Sequence, residues 1–231
     1  MKRSLLDAVL EARGEKRPLV VVTELGTGSQ WLEDEGEPAP GLDPRARDAA
    51  RGALRRDRSE VVEVAGARYF LHVMSPPLRL FVVGAVHIAQ ALAPMASLLG
   101  YAVTVIDPRR AFVTTERFPD VTVVTDWPDD ALVAADLDAR SAVVTLTHDP
   151  KLDDPALHVA LASPAFYIGS LGSRRTHARR IDRLTEAGFA PETLARIRAP
   201  VGLDIGAVTA GEIAASIVAE LTASFRIRVE A

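Results

Sequence analysis

The chain has 231 residues, 48% of them hydrophobic and 25% charged, with a net charge of −4, which describes a globular protein of one large domain or two small ones. That charge provides no global attraction to nucleic acid or to an anionic membrane. Cysteine is absent, which excludes disulfides, thiolate metal ligation and a cysteine nucleophile in this chain. The first apolar patch is short and broken by Asp7 and Glu11, and no stretch reaches the roughly 20 apolar residues of a membrane span; the expectation is a cytoplasmic protein with no membrane partner.

In chain order, Leu5, Leu6, Val9 and Leu10 recur at helical spacing within Ser4 to Arg13, with Gly14 as a stop. Pro18 introduces the β-branched run Leu19 to Thr23, which ends at Gly26-Thr27-Gly28 before Gln30-Trp31-Leu32 returns as a second strand. Asp43-Pro44 reads as an N-cap followed by proline at the first helical position, opening a charged helix to about Arg56. Strands Glu60 to Val64 and Arg68 to Met74 follow, joined by a hairpin at Ala65-Gly66-Ala67. A helix on a mostly antiparallel sheet makes residues 1–75 a small α+β domain. Ser75-Pro76-Pro77 is the expected boundary, because two prolines stiffen the chain and deny it ladder donors.

From Leu78 the pattern becomes apolar runs alternating with helical segments, as in a parallel sheet covered on both faces. Strands are expected at 78–84, 102–107, 121–125, 141–147 and 165–169. Helices are expected at 87–99, 129–135, 155–162, 173–187, 191–197 and 210–224. Pro94 should kink the first of these helices, and Thr209-Ala210-Gly211-Glu212 gives the last a capping box. The fold class is therefore α/β, a Rossmann-like doubly wound parallel sheet over residues 76–231 preceded by the small α+β domain.

Four constellations could carry chemistry. An apolar strand, the turn Gly84-Ala85-Val86-His87-Ile88-Ala89 and a helix, with Asp107 closing the next strand, match the layout of a dinucleotide fingerprint. Val86 stands where the fingerprint has the glycine that lets a pyrophosphate approach, and a β-branched side chain resists the positive φ glycine would supply; NAD(P) binding is weakened accordingly. Asp107-Pro108 is also an ordinary turn opening. In the usual strand order the fourth strand lies beside the first, which brings His148 and Asp149 to the same crevice as His87. The two histidines could serve as acid/base groups, metal ligands or hydrogen-bond partners; no His-x-x-x-His spacing supports a metal, and none is expected. His72, His158 and His177 have no such placement and read as structural or surface residues.

The third constellation, Gly169-Ser170-Leu171-Gly172-Ser173-Arg174-Arg175, leads a strand through glycines into the N-terminus of an arginine-rich helix, where free N–H groups, the helix dipole, hydroxyls and guanidinium groups favour a phosphate. Arg174, Arg175, Arg179, Arg180 and Arg183 do not share one face, so several of them only solvate the helix. Aromatic residues make up only 5% of the chain and none interleaves with these arginines, so no nucleic-acid partner is expected. The fourth is Asp204, flanked by Gly202 and Gly206, which reads equally as a tight loop or as a hydrogen-bond acceptor facing the cleft. No catalytic residue is assigned.

Together VVGAVHIAQALAP, TVIDPR, LTHDPKLDDPAL, YIGSLGSRRTHARR and PVGLDIGAVTAGEIA resemble the XdhC/CoxI family of molybdenum hydroxylase accessory proteins, over about residues 76–225. The resemblance implies a maturation factor with a Rossmann domain after a smaller domain. Such a factor binds the molybdenum cofactor (molybdopterin) as cargo, protects it during sulfuration and assists its insertion into a xanthine-dehydrogenase-like apoenzyme. It leaves a homodimer open. Many members have a glycine where Val86 stands, and longer ones carry a Gly-Cys motif in the N-terminal domain that is missing here. Without cysteine this chain cannot carry persulfide sulfur, so a sulfur donor would be a separate protein. The phosphate of the pterin cofactor would suit the 169–175 loop, and its polar edge would want His or Asp partners. The alternative is an NAD(P)-dependent oxidoreductase with the pyrophosphate over 84–89, Asp107 on the ribose and His148 as acid/base group.

Overall fold

The computed structural model describes residues 3–34, 36 and 38–230, with side chains through 227; Met1, Lys2 and Ala231, at the ends of the expected domains, lie outside them. Contacts between Cα atoms group the chain into two units, Met1–Pro76 with Arg226–Ala231, and Pro77–Phe225. No helix among the described residues is long and apolar enough to cross a membrane.

The first unit begins with α1 (Arg3–Gly14), followed by β1 (Leu19–Glu24), β2 (Gln30–Glu33), α2 (Pro44–Arg55), β3 (Glu60–Val64) and β4 (Ala67–Met74). The four strands form one antiparallel sheet in the order β2-β1-β4-β3. The Asp43 carboxylate caps α2 by accepting from the Arg45 N–H at 2.8 Å, with Pro44 at the first helical position. Ala65 and Gly66 both have positive φ, 52° and 79°, which is the backbone twist a two-residue hairpin turn requires between β3 and β4. Alternation along β1 sorts its side chains between the faces of the sheet. Val20 and Val22 pack with Ala46, Ala50 and Ala53 of α2, while Leu19 and Val21 pack with Val9 and Ala12 of α1.

The second unit runs β5 (Arg79–Val83), α3 (His87–Leu98), β6 (Ala102–Ile106), β7 (Thr122–Val124), α4 (Pro128–Ala134), β8 (Ser141–Thr145), α5 (Pro150–Ala162), β9 (Tyr167–Ser170), α6 (Arg174–Glu186), α7 (Pro191–Leu194), β10 (Ile197–Arg198) and, through Phe225, α8 (Ala210–Glu230). Its sheet is wholly parallel, in the order β10-β9-β8-β5-β6-β7. The fourth strand of the unit, β8, thus lies beside the first, β5, as a doubly wound nucleotide-binding fold requires. Both faces are covered. Leu80 and Val82 point into a core with Ala89, Leu92 and Ala96 of α3 and Ile217 and Leu221 of α8, while Phe81 and Val83 point into a second core with Leu132 of α4, Leu157 of α5 and Leu184 of α6.

Two local expectations need correction. The helix expected at 155–162 begins at Pro150, because Asp149 is its N-cap, accepting from the Lys151 N–H at 3.0 Å, and Pro155 sits inside it. The helix expected at 191–197 ends at Leu194, and Ile197 and Arg198 instead pair with Ile168 and Gly169 as an edge strand. As expected, Pro94 lies inside α3, which runs from His87 to Leu98. The capping box at α8 forms as expected: Glu212 accepts from the Thr209 N–H at 2.8 Å, and Thr209 Oγ1 accepts from the Glu212 N–H at 3.2 Å.

Candidate ligand crevice at the carboxyl ends of the parallel strands

Strand order places the ends of β5, β8 and β9 side by side, and the loops leaving them carry most of the residues singled out in the sequence. Gly84 marks a point of close approach on the crevice floor. Its φ is +109°, and a Cβ there would come within 2.6 Å of Thr147 Cγ2 on the loop leaving β8. The left-handed conformation therefore falls on Gly84 and not on Val86, which caps α3 with an extended backbone, φ −95° and ψ 174°. The valine side chain occupies space at the loop but meets no backbone strain there, so the strain argument against it does not hold. Ala85 is buried, and His87 is exposed at the start of α3.

Asp107 ends β6 fully buried, with both oxygens engaged. Oδ2 accepts from the Ala85 N–H at 2.8 Å and from Arg109 Nη2 at 2.8 Å; Oδ1 accepts from the Arg109 N–H at 3.0 Å and Arg109 Nε at 2.9 Å. Burial pushes this carboxyl up, but the bidentate guanidinium and the two backbone donors outweigh it and hold the group below the usual carboxylate range. Asp107 pins the glycine loop to β6.

On the β8 side, Thr147, His148 and Asp149 make a tight turn in which the Asp149 N–H donates to Thr147 Oγ1 at 3.0 Å and His148 has a positive φ of 60°. His148 is exposed; with β8 beside β5, it and His87 leave neighbouring strand ends. The Asp149 carboxylate serves as the cap of α5.

The 169–175 segment divides into a buried and an exposed half. Gly169 lies against Val201 and Tyr167, where a Cβ would come within 2.6 Å and 2.7 Å, so glycine is needed here for close packing. The Ser170 hydroxyl is buried and hydrogen-bonded to that of Thr145 at 2.5 Å. The Leu171 carbonyl accepts from Arg180, Gly172 turns the chain at φ +139°, and Ser173 caps α6 by accepting from the Thr176 N–H at 3.2 Å. Arg174 and Arg175 are exposed in the first turn, where the partial positive charge of the helix end lies. Asp204 is exposed on the loop after β10. That loop is anchored by Glu220 of α8, which accepts from the Gly202 N–H at 2.8 Å and from the Tyr167 hydroxyl at 2.5 Å.

The residues that the sequence did not single out lie between α5 and α6. Arg180 and Asp153 are each only 2% exposed in their side chains. They line a cavity of about 190 Å³ whose mouth includes His148 and Arg179. Thr147 Oγ1 donates to Asp153 Oδ1 at 2.7 Å and Arg180 Nη2 donates to Leu171 O at 3.0 Å, yet Arg180 Nε, Arg180 Nη1 and Asp153 Oδ2 have no hydrogen-bond partner. The two charged groups face one another at 3.9 Å, beyond hydrogen-bond reach. Burial raises the Asp153 carboxyl and lowers the Arg180 guanidinium, each only partly opposed by the other's charge. Beside them Arg183 and Asp154 form a bidentate pair, Nε to Oδ2 at 2.5 Å and Nη2 to Oδ1 at 3.0 Å. A signal existed in the sequence: His177, Arg180, Ile181 and Leu184 follow the spacing of one helical stripe, and its apolar members mark it as the inward face.

Residues 80–221 match the family model described as the XdhC Rossmann domain. Among curated proteins, the chain is 32% identical over 204 residues to an uncharacterized protein, YqeB, of Escherichia coli, covering 87% of this chain and 38% of that one. It is 36% identical over 155 residues to the molybdenum cofactor insertion chaperone PaoD of the same organism, covering 67% of this chain and 42% of PaoD. To a probable xanthine dehydrogenase subunit of Bacillus subtilis it is 33% identical, covering 66% of this chain and 44% of the other. The chain thus spans less than half the length of these relatives. A crystal structure of a xanthine dehydrogenase from Bacillus halodurans superposes with a TM-score of 0.71 at 27% identity, over 98% of this chain and 65% of that one. The match over residues 80–221, which include the loops that form the crevice, settles the relationship: the chain belongs to the XdhC family.

Proposed function

We propose that this protein is a maturation factor for a molybdenum hydroxylase, which binds the molybdenum cofactor as cargo in the crevice at the ends of β5, β8 and β9, shields it and assists its transfer to the apoenzyme. The observation that carries this reading is the 36% identity to a protein named as a molybdenum cofactor insertion chaperone, over two thirds of the chain. The chemistry of the crevice agrees with it. The first turn of α6 offers a phosphate the positive end of a helix with Arg174 and Arg175 on it. His87, His148 and Asp204 are exposed polar groups on the surrounding loops, available to the polar parts of a ligand. With no thiol in the chain, sulfur for the cofactor comes from a separate donor protein.

The oxidoreductase alternative needs an acidic side chain for the ribose of a dinucleotide. Asp107, the residue in that position, has both oxygens taken by Ala85 and Arg109, which favours the cargo reading. The test is to purify the protein anaerobically from a cofactor-producing host, denature and oxidise it, and measure the fluorescence of the oxidised pterin released. Release in proportion to protein supports the reading; repeated absence under anaerobic handling contradicts it. Calorimetric titration with NADH addresses the alternative, for which tight binding by the unaltered protein would be required.

A further inference from the structure

The cavity between α5 and α6 is lined by Arg180 and Asp153, two side chains with buried polar atoms that lack partners in both senses: the donors Arg180 Nε and Nη1, and the acceptor Asp153 Oδ2. Buried donors and acceptors are almost always paired, and where they are not, a ligand is one of the few explanations. Both side chains are also held from behind. Arg180 Nη2 is tied to Leu171 O at 3.0 Å and Asp153 Oδ1 to Thr147 Oγ1 at 2.7 Å, so the unpartnered atoms are fixed in place.

The chemistry that completes this arrangement is an acceptor for the guanidinium lying beside a donor for the carboxylate, on one rigid body. A simple phosphate offers acceptors to Arg180 but sets its negative charge against Asp153. The edge of a cyclic amide offers both: its ring carbonyl accepts, and its adjacent ring N–H donates. Size agrees. A cavity of about 190 Å³ has the room of about six waters at ~30 Å³ each, which suits a headgroup and not a whole drug-sized ligand. At the mouth, Arg179 and His148 meet whatever the headgroup is attached to, and Arg183 is already neutralised by Asp154.

We propose that this cavity recognises the cyclic-amide edge of a fused nitrogen heterocycle of the pterin or guanine type, with Arg180 donating to the ring carbonyl and Asp153 accepting from the adjacent ring N–H. The proposal rests on the cargo-binding reading for the source of such a ring, since the cofactor supplies a pterin and a dinucleotide form of it could supply a base.

The experiment uses the full chain and pterin itself, 2-amino-4-oxopteridine, followed by the anisotropy of its own fluorescence, with guanosine and inorganic phosphate as competitors. Pterin binds, and its 3-methyl derivative, which lacks the ring N–H donor, binds at least about tenfold more weakly; this arm needs no variant and so no assumption about folding. In Asp153→Asn, Thr147 retains the amide oxygen and the amide N–H faces the ring N–H, so pterin weakens by about tenfold or more. Phosphate distinguishes the rival directly, because removing the Asp153 charge would tighten an anion site. Equal binding of pterin and 3-methylpterin, or complete displacement of pterin by phosphate with tighter phosphate binding in Asp153→Asn, overturns the proposal. If guanosine displaces pterin and shares its dependence on Asp153, the same recognition holds and the tighter of the two names the source. Cofactor release at an unaltered level from Asp153→Asn protein would remove this cavity from the account and leave the cargo reading standing. Its absence from the unaltered protein, with pterin binding and its Asp153 dependence intact, would strike the cargo reading alone.

Discussion

The parallel-sheet unit contains two buried carboxylates that each face an arginine, and they are built in opposite ways. Asp107 is saturated, with two backbone N–H groups and a bidentate guanidinium on its oxygens, and its acidity is strengthened. Asp153 stands 3.9 Å from Arg180 with one oxygen unpartnered, and its acidity is weakened. A saturated pair fixes structure, whereas a separated and under-bonded buried pair costs stability that a ligand completing its hydrogen bonds would return. The contrast moves the expected ligand contacts from the glycine loop, where the sequence pattern is most familiar, to the β8 and β9 side of the crevice.

The largest expected effect tests the structural side. Gly84→Ala places a Cβ against Thr147 in a left-handed backbone and should cost about 3 kcal/mol in urea denaturation. A cost near zero would mean the two strand ends are not in contact. Asp107→Asn should cost about 2 kcal/mol at neutral pH, a figure reduced because Arg109 is partly exposed. The folded-state pKa of Asp107 is lowered, so its contribution is present above the ordinary carboxylate value of about 3.9 and lost as pH falls through the folded value. The difference between the two proteins should therefore shrink on acidification.

Asp153→Asn should show the opposite sign. Its folded-state pKa is raised, so the stability linked to it is present below about 3.9 and lost as pH rises through the folded value. By this linkage the neutral amide should be more stable than the wild type at pH 7 in the ligand-free protein, with the difference vanishing in acid. Losing stability at pH 7 would mean that Asp153 is as well satisfied as Asp107. Val86→Gly is the smallest expected effect: Val86 is extended, so no strain is relieved, and about 0.5 kcal/mol is lost to added backbone freedom. NADH binding stays unchanged in calorimetry, because the acidic group at 107 remains engaged.

The architecture was legible because it rests on periodicities and caps that act locally. Asp43-Pro44, the Thr209 to Glu212 capping box and the apolar runs 78–84 and 141–147 each specify their element, and the doubly wound strand order follows from handedness and connectivity. Asp149-Pro150 carries the same N-cap signature as Asp43-Pro44 and opens α5 at Pro150, upstream of the expected 155, with Pro155 inside the helix. The two-residue strand Ile197–Arg198 is too short to have any periodicity of its own. In the site, the loop residues were legible from glycines and helix starts. Arg180 was not, because an arginine-rich helix reads as a solvated one until its phase is fixed by Ile181 and Leu184. Which donor stays unpaired is decided by Leu171, Thr147 and Asp153, three residues on two other segments, and no local pattern contains that information.

The central claim is that cargo is held by the under-bonded pair and not by the saturated one. The most direct measurement is the amount of oxidised pterin released from anaerobically purified Asp153→Asn protein compared with Arg109→Ala protein, each normalised to folded chain. The account predicts that Asp153→Asn loses most of the bound cofactor while Arg109→Ala retains it. Retention by Asp153→Asn with loss from Arg109→Ala would contradict it and return the ligand to the glycine loop.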